Sequence, residues 1–458
     1  MKEILSIKQL LDGYKKKEYS SKEIVEHFHN KSKSLQSKLN HYITLRDNLG
    51  NIPDKAIPIA HKDIFSTKGM ETAAASNILK GYIPPFSATV VKKLEDKSFY
   101  SLGKLNCDAF AHGGTGENSD FGPVRNPWDL EKVTGGSSSG SAAAVASLSV
   151  LAATATDTGG SVRNPASFTG TVGLKPTYGR VSRYGIISMT SSTDSIGHIT
   201  RTVWDSAYIL NITAGRDKMD ATSSNEVVPD YTKGLESYKV EGLKVGMPKE
   251  YFDNSIDSKI RDKVLESIKI LESKGAKIID IDLPHTEYGV ATYYIITLSE
   301  ISSNLARFDG IRYGHTRDKF GDEAVRRIML GTFALSSGYY DAYYKKAQMA
   351  RNAISMDFED AFKKVDIIAG PITPHMPPKI GEIVDDPLKN YLMDVLTVPV
   401  NLAGLPALSV PTEAKEMPVG IQFIGPKFSE HLLFKVGNII EQETEYYKNL
   451  PNLVVSSR

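Results

Sequence analysis

Residues 134–165 read TGGSSSGSAAAVASLSVLAATATDTGGSVRNP, and this stretch decides how the rest of the chain is interpreted. Two glycine-serine clusters flank a run of small apolar residues. Glycine allows positive φ angles and a close approach of the backbone to a ligand, so paired glycines beside a serine suit a turn whose amide hydrogens point inward. Such a turn can stabilise an oxyanion, and a serine at its end can act as a nucleophile. A flexible linker is the alternative, but linkers rarely carry an apolar run such as residues 145–155.

The composition is that of a globular protein of 458 residues, with 41% apolar and 24% charged residues. The net charge of +1 gives no broad positive field for non-specific nucleic-acid binding. The single cysteine, Cys107, excludes an internal disulfide framework and fits a reducing compartment. No stretch approaches the roughly eighteen consecutive apolar residues of a membrane span, and the first residues lack the apolar core of a signal peptide. The composition therefore predicts a soluble cytoplasmic protein with no membrane contact.

Helical and strand patterns alternate along the chain without an internal repeat or a long linker. Ser6 and Ser21 are the expected caps of the first two helices, and residues 108–133 are expected to be rich in loops. The predicted helices span residues 6–17, 21–35, 87–97, 140–147, 260–271, 286–307, 322–364 and 429–443. The predicted strands span residues 57–65, 99–104, 149–155, 278–283, 366–373, 406–411 and 419–424. These patterns predict one large α/β domain, residues 1–458, with the helical residues 1–40 packed on it.

A lysine lies within the apolar segment 57–65, which otherwise has the pattern of a short buried strand. A buried lysine is costly unless it is paired or neutral. Lys62 either faces solvent on an edge strand or is a buried amine whose lowered pKa lets it act as a general base. The segment alone leaves both interpretations open.

Three kinds of chemistry could use the serine clusters. A phosphate-binding loop of the Walker type needs a lysine after its glycines, and none follows them here. Residues 136–140 formally match the Gly-x-Ser-x-Gly elbow of an α/β-hydrolase around Ser138, but the preceding residues are mostly polar where that elbow needs an apolar strand. The third possibility is a serine nucleophile activated by a neutral lysine through a second serine, since no histidine lies in an obvious motif beside the clusters.

The Lys62 segment, the Gly-Gly-Ser-Ser cluster and the Asp-Thr-Gly-Gly-Ser-Val-Arg-Asn-Pro segment together resemble the amidase signature family. The resemblance implies an α/β domain whose central mixed β-sheet is covered by helices on both faces. It implies Ser161 as the nucleophile, Ser137, preceded by a cis peptide bond, as a proton relay, and Lys62 as the base, with no metal. The amides that would form the oxyanion hole belong to Thr158, Gly159 and Gly160.

Residues 172–185 and 330–344 also resemble the A-subunit family of the aspartyl/glutamyl-tRNA amidotransferases, a branch of the same family. In that branch an arginine and an aspartate hold the α-carboxylate and the α-amino group of glutamine. A guanidinium for a carboxylate and a carboxylate for an ammonium are chemically matched pairs. The pocket residues that the motifs imply are Arg327, Asp394 and Tyr293 or Tyr294.

The resemblance further implies that the chain hydrolyses glutamine through an acyl-enzyme and supplies ammonia to convert Glu-tRNA(Gln), or Asp-tRNA(Asn), to the amidated aminoacyl-tRNA. The chain itself would need no cofactor. Its partners would be B-type and C-type amidotransferase subunits, with ATP and Mg used, and tRNA mainly held, by one of these partners. The alternatives are a stand-alone amidase acting on another small amide and an inactive scaffold subunit.

The chain departs from the pattern of this branch in residues 107–118. They read Cys-Asp-Ala-Phe-Ala-His-Gly-Gly-Thr-Gly-Glu-Asn, where the branch commonly has Met-Asp-Glu-Phe-Ala-Met-Gly-Ser-Ser-Thr-Glu-Asn. The residue before Lys62 is His61 instead of an aliphatic residue. Since residues 107–118 border the substrate pocket by resemblance, the difference bears on which amide is accepted.

Overall fold

An 11-stranded sheet forms the centre of the fold, and a two-stranded hairpin is separate from it. The computed structural model describes residues 4–311, 313–383, 386–413 and 416–455. The strands in chain order are β1 (Tyr42–Leu45), β2 (Ile57–Lys62), β3 (Phe99–Leu105), β4 (Arg125–Asn126), β5 (Asp129–Val133), β6 (Ala152–Asp157), β7 (Val172–Lys175), β8 (Ser195–Thr200), β9 (Lys244–Pro248), β10 (Lys277–Ile281), β11 (Ile367–Pro371), β12 (Ala407–Pro411) and β13 (Gly420–Ile424).

The sheet is mixed, as predicted. Its strand order is β1-β3-β2-β6-β8-β7-β12-β13-β11-β9-β10. β2 pairs in parallel with β3 and β6, and β9 pairs in parallel with β10 and β11. The other neighbours in the sheet pair antiparallel. Strands from the two halves of the sequence join where β7 pairs with β12.

Helices flank the sheet, and their apolar faces join the strands in one large core. They are α1 (Ile7–Lys15), α2 (Ser21–Leu39), α3 (Thr89–Glu95), α4 (Ser139–Ala146), α5 (Arg163–Thr169), α6 (Val203–Thr213), α7 (Ser258–Ser273), α8 (Gly289–Leu305), α9 (Asp322–Ala334), α10 (Lys346–Phe362), α11 (Pro387–Leu392), α12 (Val398–Leu402), α13 (Glu430–Thr444) and α14 (Asn452–Val455). A π-helix, Tyr340–Lys345, precedes α10. None of the helices described is long and apolar enough to cross a membrane.

The two N-terminal helices are capped by serine side chains. α1 begins after Ser6, as predicted. The carboxylate of Asp205 on α6 accepts hydrogen bonds from the first two amides of α1 at 2.9 and 3.1 Å, which ties α1 to α6. The cap of α2 is Ser20 instead of the predicted Ser21, because Ser20 forms a capping box with Glu23.

The long helix predicted over 322–364 is wrong as a single element. α9 ends at Ala334, and Gly338 has a φ of +84°, which a right-handed helix cannot accommodate. The chain then re-forms as the π-helix and α10. The expected loop over 108–133 contains the hairpin of β4 and β5.

Some strands of the main sheet have no counterpart among the predicted ones, namely β1, β7, β8 and β9. β8 reads Ser-Ile-Gly-His-Ile-Thr, and all six residues are buried. A strand that is buried on both faces does not alternate between apolar and polar residues, so its pattern gives no strand signal.

Candidate active site

Strand pairing brings the two glycine-serine clusters and Lys62 to one edge of the sheet. Lys62 is the last residue of β2 and Asp157 is the last residue of β6, and these strands are parallel neighbours. Their carboxyl ends therefore meet at the same edge, which is where α/β proteins place their sites. The turn before α4 carries Ser137 there, 75 residues from Lys62 in sequence. The amide of Ser138 donates to the carbonyl of Ser161 at 3.2 Å, so the two clusters are in direct contact.

Lys62 is fully buried, and its amine contacts three hydroxyl groups. The Nζ atom lies 2.7 Å from Oγ of Ser137, 2.9 Å from Oγ1 of Thr156 and 3.1 Å from Oγ of Ser138. Burial lowers the pKa of Lys62 to about 8. A neutral amine has a lone pair that can accept a hydroxyl proton. The edge-strand interpretation of Lys62 is wrong, because β2 lies between β3 and β6.

The loop before Ser137 is shaped by glycine and by a buried carboxylate. The peptide bond between Gly136 and Ser137 is cis, as the resemblance implies. A Cβ atom on Gly136 would lie 2.0 Å from Oδ2 of Asp108, so no side chain fits there. Asp108 accepts hydrogen bonds from the amides of Gly116 and Asn118 at 3.1 and 2.9 Å. These bonds fix the carboxylate against which the loop carrying Ser137 packs.

Asp157 anchors the turn that carries Ser161. Its carboxylate accepts hydrogen bonds from the amides of Gly160 at 2.9 Å and Val162 at 3.2 Å, the residues on either side of Ser161. The guanidinium of Arg163 forms two further bonds of 3.0 Å with it. Burial alone would raise the pKa of Asp157, but the ion pair with Arg163 outweighs burial and holds the pKa at about 2. The turn is thus fixed by a permanent buried anion, and Ser161 keeps 8% of its surface exposed.

The segment around α12 supports the same turn. The amide group of Asn401 donates to Oδ1 of Asp157 at 2.9 Å, and the hydroxyl of Thr397 donates to the carbonyl of Gly159 at 2.6 Å. A Cβ atom on Gly159 would lie 2.6 Å from the hydroxyl oxygen of Tyr293, so the tyrosine packs directly on this glycine. Residues from both halves of the chain therefore hold the turn in place.

The three residues predicted to form the oxyanion hole lie in this turn. Thr158, Gly159 and Gly160 directly precede Ser161, the predicted nucleophile, in the sequence. The amide of Gly160 donates to Asp157, which occupies one of the three predicted donors. The oxyanion hole stays a prediction, and in this structure it relies on Thr158 and Gly159 more than on Gly160.

The residues predicted to bind the amino-acid end of glutamine are buried, although charged residues are usually exposed. Arg327 on α9 is 3% exposed, and Asp394, in the segment before α12, is 9% exposed. The Nε atom of Arg327 donates to Oε1 of Glu323 at 2.7 Å, and the guanidinium lies 5.7 Å from the ring centre of Tyr294. Burial raises the pKa of Asp394 to about 8, and the nearby charge of Asp157 acts in the same direction.

These residues border the nucleophile turn. A Cβ atom on Gly160 would lie 3.4 Å from Oδ1 of Asp394. Tyr293, which packs on Gly159, is followed on α8 by Tyr294, the residue beneath Arg327. The structure therefore brings the predicted base, relay, nucleophile and substrate-binding residues into one region.

Several polar residues shape the site in ways that the sequence does not predict. They are Asp108, Ser138, Thr156, Thr397 and Asn401. One signal could have pointed to Thr156: polar threonines occupy alternate positions, 154 and 156, in the otherwise apolar strand before Asp157. The side chains on one face of that strand point toward Lys62.

The arrangement supplies what acyl transfer from an amide requires. It has a buried amine of lowered pKa, a hydroxyl bonded to that amine, and a second serine in a glycine turn. In the described part of the chain, no three His, Cys, Asp or Glu side chains are grouped as metal ligands.

Comparison with known proteins gives a consistent set of relatives. A model of the Amidase family matches residues 6–434. The A subunit of the glutamyl-tRNA(Gln) amidotransferase from Persephonella marina is 48% identical over 98% of this chain and 99% of the relative. Its counterpart from Geobacillus kaustophilus, which carries the same name, is 47% identical over the same shares.

Solved structures agree with these sequence relatives. The crystal structure of the A subunit of the glutamyl-tRNA(Gln) amidotransferase from Thermotoga maritima superposes with a TM-score of 0.82 at 45% identity, covering 92% of this chain and 91% of that chain. A 6-aminohexanoate cyclic dimer hydrolase superposes with a TM-score of 0.88 at 24% identity, over 99% of this chain and 100% of that chain. At that identity the second match shows a shared fold only.

Proposed function

The chain belongs to the amidase family, and from that premise we propose that it is the glutamine-hydrolysing A subunit of a tRNA-dependent amidotransferase. The observation that carries the proposal is that the Ser161 turn contacts two groups of residues. The carbonyl of Ser161 accepts a hydrogen bond from the amide of Ser138, whose hydroxyl contacts the buried amine of Lys62, and Asp394 lies beside Gly160. The relatives at 47–48% identity carry the name of that subunit.

The proposed reaction uses Ser161 as the nucleophile. Lys62 accepts a proton from the hydroxyl of Ser137, which in turn takes the proton of Ser161 as its Oγ attacks the carboxamide carbon. The negative charge that develops on the amide oxygen is stabilised by backbone amides of the turn. The proton returns to the leaving nitrogen, ammonia departs, and an ester of Ser161 is left. Water then attacks the ester carbon, which releases glutamate and regenerates the serine.

Glutamine fits the charges beside the turn. The two terminal nitrogens of Arg327 can bind an α-carboxylate in a bidentate manner. Asp394 can bind the α-ammonium group, and a bound cation lowers the pKa of a carboxyl that burial has raised. A neutral amide such as acetamide has neither group, so the pair selects an amino-acid amide.

Partner subunits have a suitable surface on this chain. α9 and the π-helix expose large apolar and aromatic side chains that monomeric proteins usually bury. They are Met329, Leu330, Phe333, Tyr340 and Tyr343. We propose that B-type and C-type subunits cover this surface in the cytoplasm. ATP and Mg would be used, and tRNA mainly held, by the partner, in keeping with the near-neutral charge of this chain.

The proposal is tested with the chain co-expressed with B-type and C-type subunits. The complex is expected to release ammonia from glutamine and to form Gln-tRNA(Gln) or Asn-tRNA(Asn) when ATP is added. Ser161→Ala is expected to abolish ammonia release while the complex still forms. If Ser161→Ala releases ammonia from glutamine as fast as the unsubstituted complex, the assignment of Ser161 as the nucleophile is wrong.

A stand-alone amidase is the second candidate, because residues 107–118 differ from the pattern of the A-subunit branch. That candidate predicts full activity on another small amide without partners and no dependence on Arg327. The inactive-scaffold alternative predicts no ammonia release from any amide. It is disfavoured by the intact hydrogen bond between Lys62 and Ser137.

A further inference from the structure

His112 is a buried histidine whose ring packs 5.9 Å from that of Phe110 but whose ring nitrogens form no hydrogen bond with the described residues. The side chain is fully buried, and neither Nδ1 nor Nε2 has a hydrogen-bond partner among the residues that the structure describes. The other buried histidines, His41, His61 and His198, each contact a hydroxyl oxygen through one ring nitrogen. Buried polar groups are nearly always hydrogen bonded because an unpaired one is costly. The two unpaired nitrogens of His112 therefore call for a ligand.

His112 lies near Asp394 and Arg327, the residues proposed to bind the α-amino and α-carboxylate groups of the substrate. Two residues further on, a Cβ atom on Gly114 would lie 3.7 Å from Oδ2 of Asp394. Burial lowers the pKa of His112 well below its usual range, and the nearby cation of Arg327 lowers it further. The imidazole is therefore neutral, with one N–H donor and one acceptor nitrogen. It lies within electrostatic reach of the guanidinium that is expected to bind the carboxylate.

The backbone before His112 is held in an unfavourable conformation. Phe110 and Ala111 have φ angles of +53° and +64°, which residues with a side chain rarely adopt. The ring of Phe110 is fixed between Phe308 and Phe320, with centroid distances of 5.6 and 5.7 Å. Such strain persists where the surrounding structure enforces it, and it is concentrated at ligand sites. Here it fixes the direction in which the chain enters residue 112.

We propose that His112 is a specificity-determining residue that donates a hydrogen bond to the α-carboxylate of the substrate beside Arg327. This inference rests on the proposed glutaminase function. Arg327 already uses its Nε on Glu323, which leaves its terminal nitrogens for the ligand. A carboxylate has about four acceptor positions, so a bidentate guanidinium leaves room for a further donor. A neutral donor adds a directional contact without placing a second positive charge in the pocket.

The test compares three amides that differ in their α groups. Glutamine has both groups, glutaramic acid lacks the amine, and 4-aminobutanamide lacks the carboxylate. In the assembled complex, His112→Met is expected to raise the KM of glutamine about tenfold with little change in kcat, since one hydrogen bond to a charged group is lost. The inhibition constant of glutaramic acid against glutamine hydrolysis is expected to rise by a similar factor. That of 4-aminobutanamide is expected to stay unchanged.

Two conservative variants provide the control. His112→Asn and His112→Gln each carry an amide N–H, near the positions of Nδ1 and Nε2 respectively, and one of them is expected to restore most of the affinity for glutamine. Thermal unfolding is measured for all three variants. If His112→Met does not fold, the KM values of His112→Asn and His112→Gln are compared with each other and with that of the unsubstituted complex.

Three results would overturn the inference. They are an equal loss for all three amides, no recovery in either amide variant, and an unchanged KM in His112→Met. If the unsubstituted complex is active on glutamine, any of these results contradicts the inference about His112 but not the proposed function. If the unsubstituted complex releases no ammonia from glutamine, the proposed function fails, and the inference fails with it.

Discussion

Lys62 combines full burial with three hydroxyl contacts, and this environment determines how activity should depend on pH. The base must be neutral, and a lysine is neutral above its pKa. With a pKa of about 8, the value of kcat is expected to rise about tenfold per pH unit below pH 8 and to level off above it. The measurement is a kcat profile for ammonia release between pH 6 and about 10.

The matched variant for this prediction is Lys62→Met, which keeps the volume and apolar stem but has no amine. It is expected to lower kcat about 10³-fold and to remove the rise near pH 8. An unchanged pH profile in Lys62→Met would contradict the role of Lys62 as the base.

Asp394 has a pKa near the same value, but the role proposed for it is in substrate binding. The carboxyl must be ionised to bind an ammonium group, and it is ionised above its pKa. Ionisation of Asp394 is therefore expected to add to the rise of kcat/KM with pH around pH 8. Bound substrate lowers the pKa of Asp394, so kcat does not show it. Asp394→Asn is expected to raise the KM of glutamine about tenfold to hundredfold. Asp280→Asn, at an exposed position on β10, is the control, and an equal effect in both variants would contradict the prediction.

Lys62 was identifiable as unusual from the sequence, but its environment was not. An apolar strand with a central lysine is compatible with an edge position, and only the pairing of β2 with both β3 and β6 excludes it. Arg327 and Asp394 had no local signal at all. Without the family resemblance they would be interpreted as surface charges, because charged residues are rarely buried and the sequence does not show which elements cover them.

At the level of elements, the segment before α12 joins Asp394, the proposed substrate-binding residue, to the turn that carries Ser161. Thr397 directly precedes this helix, and its single hydroxyl proton lies within reach of the carbonyl of Gly159 at 2.6 Å and that of Asp394 at 3.0 Å. Thr397→Val keeps the shape and removes the hydroxyl. It is expected to lower kcat about tenfold or more, because the turn loses a buried hydrogen bond.

Thr397→Ser is the control for this prediction, since it keeps the hydroxyl. Steady-state kinetics with glutamine and thermal unfolding of both variants check it. If Thr397→Val unfolds at a lower temperature but keeps its kcat, Thr397 stabilises the fold and does not position the turn.

Strong periodic elements were predicted well, and fully buried ones were not. α2, α7 and α13 have apolar residues at helical spacing and lie within a few residues of the expected positions. β8 contains glycine, serine, histidine and threonine in a position buried on both faces, where tertiary packing outweighs intrinsic strand preference. The break after α9 depends on Gly338, a single residue that helix periodicity does not detect.

At the scale of the whole molecule, the exposed aromatic surface of α9 and the π-helix is expected to be a subunit interface. Tyr340 and Tyr343 are 46% and 45% exposed. Replacing both by serine is expected to weaken co-purification with partner subunits at least tenfold, because interface aromatics carry much of the binding energy. The ammonia release of the isolated chain and its unfolding temperature are expected to change little. Val227→Ser, at an 84% exposed position outside this surface, is the control, and equal weakening in both would contradict the assignment.

The turn around Ser161 is completed only late in the synthesis of the chain. Asn401, which bonds to Asp157, lies 244 residues further along the chain. At about 5–20 residues per second, translation reaches it roughly ten to fifty seconds after Asp157 has been made. During that interval the nascent chain contains Lys62, Ser137 and Ser161 but lacks Asn401, which supports the turn. If the chain hydrolyses glutamine as proposed, unfinished or prematurely terminated chains are expected to lack that activity, because their turn has no Asn401 to support it.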